Sequence, residues 1–224
     1  SFRLIGGCVR DNLLEVSGLN VKIKSCDQDL HIIRGLDLVL KEGENLGVVG
    51  ESGCGKTVLG LSLIKLLFDP LYLSSGSVVF SNKSLYDLKE KEVRKIRGKE
   101  ISMVFQEPMV SLNPIYSIEE QLSECLNSHF VLDDKQAHSS CLELLQQVKI
   151  KDPQSCLRQY PHQLSGGMLQ RVMIAMAISC KPKLIIADEP TTALDVTTQF
   201  DILNLLQELR TKYRMAMVLI THDL

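Results

Sequence analysis

"NLGVVGESGCGKTVLGLSLIKLLF", Asn45 to Phe68, sets a compact apolar run against a glycine-studded loop and a stretch with helical spacing. The first part reads as a strand ending in Gly50, and the last part as a helix running up to the Asp69-Pro70 break. The loop between them, "GESGCGKT" (Gly50–Thr57), fits G-x-x-x-x-G-K-[ST] in the strand-loop-helix context that the pattern requires. Gly50, Gly53 and Gly55 let the backbone curl so that consecutive N–H groups and the helix N-terminus face the β and γ groups of a bound phosphate chain. Lys56 adds a positive charge there, and the Thr57 hydroxyl can ligate Mg²⁺. Glu51, Ser52 and Cys54 fill the remaining loop positions, Cys54 as a filler thiol. A glycine-rich turn that merely matches the pattern is the plainer reading, so the rest of the chain has to decide.

A phosphate loop needs a carboxylate for the metal and, for hydrolysis, a base. "KLIIADEP" (Lys183–Pro190) carries apolar residues into Asp188-Glu189, which puts both carboxylates at the C-terminal end of a strand, where ligands of open α/β sheets gather. Asp188 would hold Mg²⁺ through water, and Glu189 would polarise an attacking water. His222 follows the apolar run "MAMVLIT" and Gln106 follows "SMVF", so both also stand at strand ends. Gln106 is a neutral amide able to touch both metal and water. Alone, each would be an ordinary strand-end residue; together they describe a site.

Around this centre the pattern alternates. "LLEVSGLNVKI" (Leu13–Ile23) and "LHIIRGLDLVLKEGE" (Leu30–Glu44) read as short antiparallel strands broken by Gly18, Gly35 and Gly43. "GSVVF" and "ISMVF" read as further strands, and the charge run "KEKEVRKIRGKE" (Lys89–Glu100) as a solvated surface segment. From Pro108 to Pro161 apolar positions three and four apart predict an inserted helical subdomain. After it come a helix beginning on Ser165-Gly166-Gly167, the buried strand "LIIAD", the amphipathic "DVTTQFDILNLLQELRTKY" (Asp195–Tyr213) and a last strand. Alternating strands and helices predict a parallel sheet covered on both faces.

The totals set bounds. A chain of 224 residues with 45% hydrophobic content can bury a substantial core, and a formal net charge of −2 gives no reason to expect nucleic acid as a partner. The seven cysteines are dispersed, without a C-x-x-C pair or a histidine at ligand spacing, which favours reduced thiols over a zinc site or a disulfide framework. No run approaches the roughly 18 apolar residues that span a bilayer, so the chain reads as soluble. The first twelve residues lack the apolar centre of a signal peptide and read as an extension outside the periodic pattern.

With these motifs in order, the chain resembles the nucleotide-binding subunits of ABC transporters from Leu13 onward. "GESGCGKT" looks like the Walker A loop, Gln106 the Q-loop glutamine, "LSGGM" (Leu164–Met168) the signature, "LIIADE" the Walker B strand, "ALD" (Ala193–Asp195) the D-loop and His222 the switch histidine. "SMVFQEPMVSLNPIYSIEEQL", "YPHQLSGGMLQRVMIAMAI" and "ADEPTTALDVTTQ" are similar to the branch serving dipeptide, oligopeptide and nickel importers.

The resemblance implies an α/β fold: a P-loop NTPase core with a mainly parallel sheet, an N-terminal antiparallel β subdomain and an inserted α-helical subdomain. It divides the chain into an extension (1–12), the β subdomain with the Walker A part of the core (13–107), the helical subdomain (108–163) and the signature, Walker B and switch part (164–224). It implies ATP and Mg²⁺ as ligands, with Glu189, His222 and Gln106 catalytic and Thr57, Gln106 and Asp188 at the metal. It further implies a second ATPase subunit, identical or not, paired head to tail so that Ser165, Gly166, Gly167 and Asp195 act on a nucleotide held by the other subunit.

Membrane permease subunits and, indirectly, an extracytoplasmic solute-binding protein follow as partners, with the chain peripheral on the cytoplasmic face. The rival readings are a soluble ABC ATPase acting on DNA or ribosomes, or the ATPase domain of an exporter; the compact span from Thr57 to Ser165 has no room for the long coiled coil usual in the former. Two departures stand out. Ile23 occupies the place where the family commonly stacks an aromatic ring on adenine, and the sequence reaches "THDL" where relatives continue, so the core is expected to be truncated.

Overall fold

The computed structural model describes residues 12–25, 28–192 and 194–222. The expected N-terminal extension up to Asp11, Cys26 and Ala193 of the "ALD" stretch lie outside the described residues. In chain order the strands are β1 (Asn12–Ile23), β2 (Leu30–Lys41), β3 (Asn45–Val49), β4 (Leu71–Phe80), β5 (Lys83–Ser84), β6 (Ile101–Val104), β7 (Leu184–Asp188) and β8 (Ala216–Thr221). The helices are α1 (Lys56–Leu63), α2 (Glu90–Ile96), α3 (Pro108–Ser111), α4 (Ile118–Asn127), α5 (Asp134–Gln147), α6 (Pro153–Arg158), α7 (Gly166–Ile178) and α8 (Val196–Tyr213).

Two sheets form. One is antiparallel, in the order β2-β1-β4-β5, and the other is parallel, in the order β3-β8-β7-β6. β6, β7 and most of β8 are buried on both faces, as their apolar runs require. The edge strand β3 departs from the expected cover and leaves Asn45, Gly47 and Val49 exposed. Along β7, Leu184 and Ile186 point into the core shared with β1, β4 and α1, while Ile185 and Ala187 point into the core shared with α4, α5, α7 and α8. Along β8, Val218 and Ile220 face the first core and Met217 the second. The two-residue period thus makes the sheet a partition between two apolar clusters.

The antiparallel strands are longer than their glycines led us to expect. β1 and β2 each run for 12 residues through Gly18 and Gly35, which adopt φ of 56° and 58°. The register shifts between Val16 and Leu19, so the glycines mark bulges rather than ends. Side chains complete the ladder there: Gly18 N–H donates to Asp37 Oδ1 at 2.7 Å and Gly35 N–H to Asn20 Oδ1 at 3.0 Å.

α1 is shorter than expected. It stops at Leu63 although "IKLLF" continues the apolar spacing. The stop is a Schellman-type turn, with Leu66 N–H donating to Leu61 O at 2.8 Å, Lys65 N–H to Ser62 O at 3.1 Å, and Lys65 left-handed at φ 51°. Lys65 Nζ anchors this turn on the carbonyls of Tyr86 (3.2 Å) and Leu88 (2.7 Å), while Arg97 Nε donates to Ile64 O at 2.8 Å.

Arg97 belongs to the charge run expected to be a solvated face. That run instead forms α2, buries Val93 and Ile96, and pairs Arg97 with Glu90 at 2.7 Å. The later helices start where their caps predict. Ser117, Asp133, Asp152, Ser165 and Asp195 each accept a backbone N–H at the N-termini of α4 to α8.

Candidate nucleotide site

β3 delivers the chain to Gly50, and the loop returns it as α1 at Lys56. Lys56 is 7% exposed. Its Nζ donates to the carbonyls of Gly50 (2.8 Å) and Glu51 (2.9 Å) and stands 3.6 Å from Glu189 Oε1. The loop therefore wraps its own ammonium, spending two of its three N–H donors on carbonyls and leaving the third for a bound phosphate. Cys54 Sγ packs over Gly50, where an added Cβ would come within 2.9 Å of it.

Asp188 ends β7 and is 1% exposed, and its Oδ1 has no hydrogen-bond partner among the described residues. Burial raises its carboxyl above the ordinary 3.8; a hydrogen bond with the Thr57 side chain opposes that rise, Glu189 adds to it, and Lys56 opposes it. An orphaned buried carboxylate oxygen beside a hydroxyl at the foot of a phosphate loop is the oxygen donor set that a hard cation such as Mg²⁺ takes. The residues present fit that ion.

Gln106, Glu189 and His222 come together because β6, β7 and β8 are parallel neighbours, so their C-terminal ends share one edge. They converge on one atom. Glu189 Oε2 accepts from Gln106 Nε2 at 3.1 Å and lies 3.1 Å from His222 Nδ1. A third contact was missed by reading motifs: Thr192 Oγ1 donates to the same oxygen at 3.0 Å. A hydroxyl three residues after the Glu, with Pro190 at the second position of the turn, was the available signal. The Glu189 side chain is 11% exposed.

The remaining expected site residues lie elsewhere. Ser165 caps α7, its Oγ accepting Met168 N–H at 3.4 Å, and both Ser165 and Gly166 are exposed. Gly167 packs against α8: an added Cβ would fall 2.8 Å from Thr198 Cγ2. Asp195 caps α8, accepting Thr198 N–H at 3.0 Å and Thr198 Oγ1 at 2.7 Å. The Thr197 and Thr198 hydroxyls, with the Thr198 amide, hold the Asp195 carboxyl well below the usual range.

α1 packs on β2, β4, β7 and β8, whereas α7 packs on β6, α3, α4, α5 and α8. The loop and the exposed Ser-Gly pair therefore belong to opposite faces of the parallel sheet. Ile23, expected near the base, ends β1 paired with Leu30 and Leu71. Beside the loop a cavity of about 260 Å³ is lined by Ile32, Leu36, Val48, Cys54 and Lys56, with no aromatic ring among the described residues that form it.

This loop, sheet and strand-end cluster define a P-loop NTPase α/β fold. The family model described as "ABC transporter" matches residues 33–192. The oligopeptide transport ATP-binding protein OppD of Bacillus subtilis is 46% identical over 213 residues, covering 95% of this chain and 60% of its own length. The dipeptide transport ATP-binding protein DppD of Haemophilus influenzae is 48% identical over 212 residues, covering 95% of this chain and 64% of its own. The chain thus spans less than two thirds of the length of these curated relatives. Among solved structures, the dimeric post-hydrolysis state of the ATP-binding cassette MJ0796 bound to ADP and Pi superposes with a TM-score of 0.84 at 29% identity, covering 94% of this chain and 88% of that one. The chain belongs to the ABC transporter family.

Proposed function

We propose that this chain is the ATP-hydrolysing subunit of an importer for peptides or a related small solute, working with a second ATPase subunit and a separate membrane permease. The observation that carries the hydrolytic part is the convergence of Gln106, Thr192 and His222 on Glu189 Oε2, with Lys56 and Asp188 beside it. The import part rests on the likeness to OppD and DppD, whose names state oligopeptide and dipeptide transport.

In this reading the loop amides and Lys56 take the β and γ phosphates of ATP. Asp188 and Thr57 hold Mg²⁺, which when bound neutralises charge on the phosphate oxygens. Glu189 orients the attacking water and accepts its proton, Gln106 contacts that water, and His222 hydrogen-bonds the γ phosphate. Phosphoryl transfer asks for positioning and charge stabilisation, which these residues supply.

The signature Ser165-Gly166-Gly167, with Ser165 and Gly166 exposed at the start of α7, and Asp195 serve the nucleotide of the partner subunit, head to tail. The helical segment 108–163 faces the permease, an assignment supported by the exposed Met109, Val110 and Ile115. The subunit is peripheral on the cytoplasmic face of the membrane; among the described residues no helix is long and apolar enough to cross one. Glu189→Gln in the assembled transporter is expected to bind ATP with unchanged affinity and to lower turnover by about 100-fold or more. Turnover within twofold of the parent would contradict the assignment of Glu189.

A further inference from the structure

We infer that Thr192 is a positioning residue for the water-activating carboxylate, the fixed donor that holds Glu189 while its other two partners exchange. The inference rests on the reading of Glu189 as the base.

Glu189 leaves β7 in a left-handed backbone conformation, φ 44°, which an L residue adopts at a cost of about 1 kcal/mol or more. That conformation turns its side chain out of the strand direction and into the site. Two backbone bonds hold it there. Glu189 N–H donates to Ile220 O at 2.9 Å, and Thr192 N–H donates to Glu189 O at 3.2 Å.

Thr192 thus grips Glu189 at both ends: its amide takes the backbone carbonyl, and its hydroxyl takes carboxylate Oε2 at 3.0 Å. The other two partners of that oxygen come from distant elements. Gln106 is 83 residues away in sequence, just beyond β6 on the segment leading to α3, and His222 is 33 residues away, beyond β8. Either can leave Glu189 to meet water or phosphate only if something else keeps the carboxylate pointed. Thr192 is the partner that shares a single tight turn with Glu189, so it moves with it. The opposite oxygen, Oε1, lies 3.6 Å from Lys56 Nζ, beyond hydrogen-bond length, and a bound phosphate would compete for that ammonium.

The test uses the complete assembled transporter with Thr192→Val, which keeps the branched shape and the backbone amide but lacks the hydroxyl, and Thr192→Ser, which keeps the donor. Thr192→Val is expected to lower kcat for ATP about tenfold with KM and ATP affinity changed less than twofold, and Thr192→Ser to stay within twofold of the parent. The inference is overturned if Thr192→Val keeps its kcat, if KM carries the loss, or if Thr192→Ser is as slow as Thr192→Val. Glu189→Gln measured in parallel separates the two readings. If Glu189→Gln is inactive and Thr192→Val is normal, only Thr192 has been misread; if Glu189→Gln turns over normally, the base itself has been misassigned.

Discussion

α1 and α7 both begin on glycine-rich turns, and their surroundings differ in nearly every respect. At the start of α1, Lys56 is buried, hydrogen-bonded to the loop's own carbonyls, and within reach of the glutamate that three other side chains already hold. At the start of α7, Ser165 and Gly166 are exposed, the neighbours of the glycines are Leu194 and Thr198, and Asp195 spends its carboxylate capping α8. One end is a self-contained half-site. The other offers its amides outward from the far face of the sheet. A helix N-terminus attracts anions by the same physics in both places, so the contrast lies in what each can reach within one chain.

Several changes would break or sharpen this contrast. The largest is Gly167→Val, whose Cβ would come within 2.8 Å of Thr198 Cγ2. Forcing α7 from α8 is expected to cost about 1–3 kcal/mol, read as a lower urea midpoint with an unchanged slope.

Next is Asp188→Asn in the nucleotide-free protein. The folded carboxyl holds its proton more tightly than the ordinary 3.8, because burial disfavours its charge. Folding therefore takes up a proton between 3.8 and that raised value, and stability falls as pH rises through the window. The Asn variant lacks that loss. It is expected to be more stable near pH 7, with the gap closing near pH 4, while its affinity for ATP no longer increases with Mg²⁺. A melting series across pH, with calorimetric titrations of ATP with and without the metal, reads both halves.

The smallest effect belongs to Gly166→Ala. Its Cβ would sit at an acceptable 3.4 Å from Leu194, so thermal stability should match or exceed the parent by less than about 1 kcal/mol. A large loss there would mean that α7 starts in a more crowded place than its exposure indicates.

Much of the parallel sheet and its loop was legible in the sequence because short-range rules govern them. An apolar run of strand length ending in Asp188-Glu189 can hardly do other than place both carboxylates at a strand end, and the same holds for His222 after β8. The convergence on Oε2 was not legible, since it depends on the order β8-β7-β6, which spacing along the chain does not encode. Thr192 was passed over for a related reason: a threonine after Pro190-Thr191 looks like turn filler until the left-handed φ of Glu189 folds the turn back on itself.

The early stop of α1 was hidden because the residues that enforce it, Arg97, Tyr86 and Leu88, lie more than 20 positions downstream. Gly18 and Gly35 misled in the other direction. Their glycine character was read as a break, but the side chains of Asp37 and Asn20 carry the ladder across them.

The measurement that tests the central claim most directly compares Lys56→Ala with Ser165→Arg twice: for ATP affinity of the intact subunit held dilute and apart from its partner, and for ATP turnover in the assembled transporter. The two half-sites on opposite faces of one chain predict that both variants lose turnover by about 100-fold, while only Lys56→Ala weakens ATP binding to the separate subunit, by about tenfold or more. If Ser165→Arg weakens that binding as much as Lys56→Ala does, the signature contacts the nucleotide of its own chain, and the shared-site account is wrong.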